Sequence, residues 1–236
     1  MIRLGMSGFS YPEWIGKIYP PGTKRARMLS AYAEIFDAVE INMSFRRTPE
    51  ESTVDRWRDA VPETFRFTMK ANQLITHWRR LVDVGDALSE FVERAGRLGE
   101  RLGAILFQVP ATLKFDAAVI DSFGSSLPLG YAYAFEPRDG SFLTHEATAL
   151  FRKHGIALCL NDDLFDPTTY TTTAPIAYFR FHRDGYSADD INQRVSLLRR
   201  LAEEGTSVYA FYAHENNPDS VEPALQTLEL LRGVGV

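Results

Sequence analysis

An α/β fold, eight parallel strands closed into a (β/α)8 TIM barrel, is what the sequence predicts, on three observations. Short apolar runs carry polar residues at alternate positions and end on a polar group. Amphipathic helical stretches follow these runs, and the 236 residues, 45% apolar and without a Gly/Ser/Pro linker, suit one domain over 1–236. Successive side chains of a strand face opposite ways, so polar faces on helix-covered strands converge on an interior. A doubly wound open sheet has the same local grammar. Charged inward positions recurring along the whole chain favour closure.

The first strand is expected at 2–7 and a helix at 24–36. At 38–42, Val39 and Ile41 oppose Glu40 and Asn42, and a helix follows at 50–60. The third strand, 65–70, sets Phe65, Phe67 and Met69 against Arg66, Thr68 and Lys70. Helix 86–101, strand 103–109 and helix 116–126 come next. Strand 131–136 carries Ala132, Ala134 and Glu136 on one face, and helix 144–154 leads to strand 156–161. Residues 162–175 are rich in Thr, Asp and Pro, so the helix between strands six and seven is expected to be short or absent. Strand 177–182 sets Ala177, Phe179 and Phe181 against Tyr178, Arg180 and His182. Helix 188–204, strand 207–213 and helix 219–232, capped by Asp219 or Ser220, complete the pattern.

A net charge of −5 argues against a general polyanion-coating role and leaves room only for a local basic site. Cys159 is the single cysteine and sits in an apolar run, which excludes an intrachain disulfide or a cysteine-rich zinc site. The start of the chain has no basic stretch followed by an apolar signal core, and no apolar run approaches 18 residues. A cytoplasmic protein, away from the membrane, is expected.

In a closed barrel the strand ends gather Ser7, Glu40, Asn42, Lys70, Gln108, Glu136, Asn161 or Asp162, His182 and His214 on one face, where active sites of this fold lie. Loops add Arg46, Arg47, His77, Arg79, Arg80, Arg138 and Arg183, a basic rim suited to an anionic group. With strands about 4.8 Å apart and tilted about 36°, the carboxylates of strands two and five would lie roughly 6 to 7 Å apart, room for a water or a substrate atom. They are candidates for acid and base. Inward arginines, Arg3, Arg66 and Arg180, offer the competing reading of an ion-paired scaffold. Lys70 is read as an anion clamp ahead of a Schiff-base nucleophile, and His77 and His182 as general acids or hydrogen-bond donors. A divalent metal on Glu136, Asp162, His182 and His214 fits by ligand type but lacks a tight spacing, so no cofactor is predicted. The loop at 8–22 carries Phe9, Tyr11, Trp14 and Tyr19, which either stack on a ligand or pack against the barrel mouth.

The stretches GMSGFSYPEWIGKIYP (5–20), VEINMSF (39–45), FRFTMKANQLITHWRRL (65–81), LGAILFQVP (102–110) and YFRFH (178–182) resemble the YecE-like family, domain of unknown function 72. The resemblance implies a TIM barrel related in architecture to sugar isomerases and metal-dependent repair endonucleases, with no established reaction. Ser7, Trp14, Glu40, Asn42, Lys70, Thr76, His77, Gln108, Glu136, Arg138, Arg180 and His182 match its motifs. Two motifs depart: EPRDGSF replaces the usual E-F-R-H-x-S-W, placing Asp139 and Phe142 at the His and Trp positions, and FYAHENN puts Ala213 and His214 where two asparagines are usual.

The expected function is an enzyme, of hydrolase or isomerase type, acting on a phosphate- or carboxylate-bearing small molecule. Glu40, Glu136, His182 and His77 are the catalytic candidates. Ser7, Trp14, Asn42, Lys70, Gln108, Arg138 and Arg180 are the substrate-binding candidates. A metal-dependent phosphodiesterase or sugar-isomerase-like enzyme is one alternative, and a nucleic-acid or partner-binding module, less favoured, is another.

Overall fold

The computed structural model describes residues 1–163, 166, 170–213, 219 and 221–233. Eight parallel strands close into a barrel in chain order: β1 Ile2–Ser7, β2 Ala38–Ile41, β3 Arg66–Lys70, β4 Leu102–Gln108, β5 Tyr133–Glu136, β6 Ile156–Asn161, β7 Ile176–Phe181 and β8 Ser207–Ala213. Around them lie α1 Met28–Ala33, α2 Glu51–Asp59, α3 Gly85–Gly96, α4 Ala117–Ser126, α5 His145–Lys153, α6 Ala188–Glu203 and α7 Val221–Arg232. Between β6 and β7 the described residues carry no helix. The expected first helix is realised as a 3-10 turn, Arg25–Arg27, running into the six-residue α1. Of the two candidate caps of α7, Ser220 lies outside the described residues.

The alternation sorts the strand residues into two layers of core. Val39, Ile41, Phe67, Met69, Ile105, Phe107, Phe135 and Phe179 face outward into a cluster shared with helix residues such as Val54, Leu88, Phe91 and Phe151. Ala38, Ala104, Leu106, Ala134, Ala157 and Cys159 face inward with Tyr178, Tyr209 and Phe211. Small side chains on β2, β4, β5 and β6 thus make room for the aromatic rings of β7 and β8 inside the barrel.

Closure between β1 and β2 is tight. A Cβ on Gly5 would sit 1.9 Å from the carbonyl oxygen of Ala38, so only glycine permits this approach. The Tyr32 hydroxyl seals the seam, accepting from the Met6 amide at 2.6 Å and donating to the Ala38 carbonyl at 2.9 Å. Above this packed interior the register aligns Ser7 with Ala213, Gln108 with Glu136 and Asn161 with Arg180 at the carboxyl ends.

Candidate functional site at the carboxyl end of the barrel

Inward positions of β2, β5 and β7 bring Glu40, Glu136 and Arg180 to the barrel axis, all three buried. The guanidinium lies between the two carboxylates. Its Nε is 3.0 Å from both oxygens of Glu40, its second terminal nitrogen is 2.9 Å from Glu40 Oε1, and its first is 2.8 Å from Glu136 Oε2. The gap expected to admit a water or substrate atom is therefore filled by the β7 side chain. Arg180, expected to hold the ligand anion, is committed to protein carboxylates instead.

The remaining lone pairs of those carboxylates are also engaged. Ser7 donates to Glu40 Oε1 at 2.7 Å, and the Tyr178 hydroxyl, itself 2.7 Å from Thr68 Oγ1, donates to Glu40 Oε2 at 2.7 Å. Asn161 donates to Glu136 Oε1 at 3.1 Å and Arg138 approaches the same oxygen at 2.8 Å. Burial on its own would raise the Glu136 pKa. Arg180, Arg138 and the Asn161 amide outweigh it and hold the carboxyl below its ordinary range, so the group stays ionised.

Lys70 ends β3 on the same inward face as Thr68. Its Nζ lies 4.4 Å from the centroid of the Phe45 ring and makes no hydrogen bond or ion pair among the described residues. Burial first, then the positive charges of Arg180 and Arg138, push its pKa down to about 8, against a partial upward pull from Glu40 and Glu136. His77 touches the same ring, its imidazole centroid 4.8 Å from that of Phe45, and its Nδ1 is 2.9 Å from Thr76 Oγ1. Burial, Lys70 and Arg80 lower the His77 pKa, so the imidazole is neutral at neutral pH.

The loop that presents His77 is unusual in its backbone. A π-helical turn spans Leu74–Trp78, and Arg80, Leu81 and Asp83 take positive φ values of 51°, 71° and 50°. Non-glycine residues seldom occupy that region, and such strain concentrates at working sites. Buried Leu81 anchors the turn, while Trp78 stands 68% exposed beside it.

Other expected members are placed differently. Trp14, fully buried, packs edge-on against Tyr11 and Tyr19 at 4.7 and 6.0 Å and offers no face to a ligand; Tyr19 is buried with it, while Phe9 and Tyr11 are half-buried. His182 follows β7, with its Nε2 3.4 Å from Asp163, which also lies 3.4 Å from Arg138. Asn42 Oδ1, Arg138 Nε and His182 Nδ1 are buried polar atoms without a hydrogen bond, three such atoms near the ends of β2, β5 and β7. Gln108 is half-buried on β4, beside Glu136 in register.

Most of the expected basic rim is spent locally. Arg47 pairs with Glu50 and Arg183 with Asp190, both at 2.6 Å, Arg79 donates to the Asp83 carbonyl, and Arg80 donates to Thr112. Of the metal candidates, Glu136 is held by arginines and Asp162 by Arg194, Tyr186 and two backbone amides, while His214 lies outside the described residues. Among the described residues no group of three or more His, Cys, Asp and Glu is placed to hold a metal ion. Asp139 caps the turn Gly140–Phe142 and pairs with Lys114, and Phe142 fills core space against Phe135 and Phe115, so both departures from the family motif serve packing here.

Tyr178, Thr68 and Phe45 were not singled out in the sequence. The alternation of β7 and β3 put the first two on the inward face; nothing local marks Phe45.

Comparison with known proteins follows this geometry. The family model described as protein of unknown function DUF72 matches residues 3–235. UPF0759 protein YecE of Escherichia coli (strain K12) is 31% identical over 143 residues, covering 60% of this chain and 50% of that protein. UPF0759 protein YunF of Bacillus subtilis (strain 168) is 35% identical over 80 residues, 34% of this chain and 27% of that protein. These alignments span half or less of the curated relatives' length. A DUF72 family protein from Thermotoga maritima superposes with a TM-score of 0.85 at 27% identity, covering 98% of this chain and 99% of that one. One from Enterococcus faecalis does so with a TM-score of 0.81 at 22% identity, covering 98% and 96%, a likeness of fold. No helix among the described residues is long and apolar enough to cross a membrane.

Proposed function

This chain belongs to the DUF72 family of proteins of unknown function, and we propose that it is an enzyme acting on a phosphate- or carboxylate-bearing small molecule at the carboxyl-terminal mouth of its barrel. The observation that carries this reading is a half-buried lysine at the mouth, Lys70, that pairs with no carboxylate among the described residues. Among the described residues the oxygens of the buried Glu40 and Glu136 are all engaged without Lys70, by Ser7, Tyr178, Asn161, Arg138 and Arg180. A half-buried ammonium above a saturated cluster is a site for an incoming anion.

In this reading Glu40 and Glu136 set the geometry and field of the site, while Lys70 and His77 meet the ligand, with Arg138 and His182 beside them. Acid–base work then falls to Lys70, whose pKa of about 8 lies closer to neutral pH than that of an ordinary lysine, and to His77, whose pKa burial lowers and whose neutral imidazole can accept a proton. Ser7, Asn42 and Gln108 line the same end. A divalent-metal enzyme is less well supported, because the candidate carboxylates already hold arginines. A nucleic-acid partner is disfavoured by the local pairing of the rim arginines, and would show as binding that weakens steeply with salt.

The test is a thermal-shift screen of sugar phosphates, phosphorylated acids and carboxylates against their neutral counterparts. Saturating ligand should raise the melting temperature by roughly 5–10 °C for anionic compounds only, and Lys70→Met should abolish the rise. Equal responses to neutral and anionic compounds, or a response untouched by Lys70→Met, refute the reading.

A further inference from the structure

We propose that Lys70 is an amine nucleophile that forms an imine with its ligand, so that the substrate class is an aldehyde or ketone carrying a phosphate or carboxylate. This deepens the proposed function, resting on it for the anion and adding a covalent step.

The geometry separates Lys70 from the other lysines of the chain. Lys17, Lys114 and Lys153 each pair with an aspartate, and Lys24 stands exposed at a turn. Lys70 is half-buried on a strand, above two carboxylates, and bonds neither. A lysine kept for structure in such a place would take a carboxylate oxygen. Here Ser7, Tyr178, Asn161, Arg138 and Arg180 occupy them, and an aromatic ring backs the ammonium. Burial and the neighbouring cations Arg180 and Arg138 favour the neutral amine, the nucleophilic form, and outweigh the face of the Phe45 ring, which favours the ammonium. The strand holds the chain rigidly at the mouth.

The step balances without any further reagent. The nitrogen lone pair attacks the carbonyl carbon, a C–N bond forms, and the π pair moves to oxygen, which gains one proton as the nitrogen loses one. The resulting carbinolamine expels its hydroxyl together with the second nitrogen proton as water, leaving the C=N bond. His77, neutral and touching the same Phe45 ring, is the adjacent group able to carry the proton from nitrogen to oxygen.

The intact chain is incubated with pyridoxal 5′-phosphate or pyruvate, reduced with sodium borohydride and mapped by peptide mass spectrometry, in parallel with a phosphate titration of the melting temperature. The expected result is a reduced adduct on Lys70 at probe concentrations about ten-fold below those marking the other lysines, at a rate rising through pH 8. Inorganic phosphate should suppress it. Lys70→Arg, which keeps the charge, should lose the mark while remaining folded by circular dichroism. Even marking of all the lysines, or a rate that climbs only towards pH 10.5, overturns the proposal. Stabilisation by phosphate without marking of Lys70 removes the covalent step and leaves the anion site. Marking of Lys70 that phosphate neither slows nor follows with stabilisation keeps the nucleophile and removes the anionic substrate class.

Discussion

At the barrel axis a single guanidinium neutralises carboxylates from β2 and β5, so removing it leaves both buried without their shared cation. Arg180→Met should cost about 3–5 kcal/mol in urea unfolding, and adding Glu40→Gln and Glu136→Gln in the same chain should recover much of that loss. A triple variant no more stable than the single one would show that the arginine acts through packing alone. Lys70 behaves oppositely. Its folded-state pKa lies below its unfolded value, so between pH 8 and 10.5 the unfolded chain holds the extra proton and stability rises with pH. Lys70→Met should therefore stabilise the fold by on the order of 1–2 kcal/mol at pH 7 while abolishing the anion response. A destabilised variant would make Lys70 a structural residue. Alternation alone made Glu40, Thr68, Lys70, Glu136, Tyr178 and Arg180 legible as inward residues. That Arg180 reaches both glutamates was not legible, because the choice between an acid–base pair and an ion-paired scaffold turns on a few ångströms of side-chain reach. The burial of Trp14 was hidden for a similar reason, since a loop rich in aromatics reads the same whether it packs or binds.

Among the elements, β1 and β2 meet at the narrowest seam, and glycine is what allows it. Gly5→Ala would push a methyl group into the Ala38 carbonyl and the Tyr32 hydroxyl, and should destabilise by at least about 3 kcal/mol in denaturant melts. A loss under about 1 kcal/mol would mean that the seam relaxes freely. Strand positions were readable because period and punctuation agree, and the Thr-, Asp- and Pro-rich stretch after β6 was readable as a place without a full helix. The π turn after β3 was not, since nothing in the local sequence of Leu74–Trp78 marks a π turn and the burial of Leu81 beyond it shows only in the folded chain. The basic rim misled for a related reason: Arg80 meets Thr112, distant in sequence, and only the folded chain shows that partnership.

For the whole molecule, the two polar clusters at the carboxyl end couple stability to pH. Glu136 and Asp162 both have lowered pKa values. For Asp162, burial opposes the shift, and bonds from Tyr186, Arg194 and the Arg183 amide outweigh it. Their stabilisation is present above the ordinary carboxylate range and is lost as pH falls through the lowered values. Melting temperatures should hold between about pH 5 and 7 and fall steeply below about pH 4, the fall shrinking in Glu136→Gln. A profile unchanged by that substitution would remove Glu136 from the acid response. Closure of the ring was legible from charged inward positions recurring along the chain. That Lys70 has no carboxylate partner among the described residues emerged only once the oxygens of Glu40 and Glu136 had been matched to theirs. The most direct test of an anion site at Lys70 is anomalous diffraction from crystals soaked in selenate, a tetrahedral oxyanion whose position is unambiguous. A selenium peak that places a selenate oxygen within hydrogen-bond distance of Lys70 Nζ, absent in Lys70→Met, is predicted. Selenate bound only elsewhere, or Lys70 turned down onto Glu40 or Glu136, would contradict it.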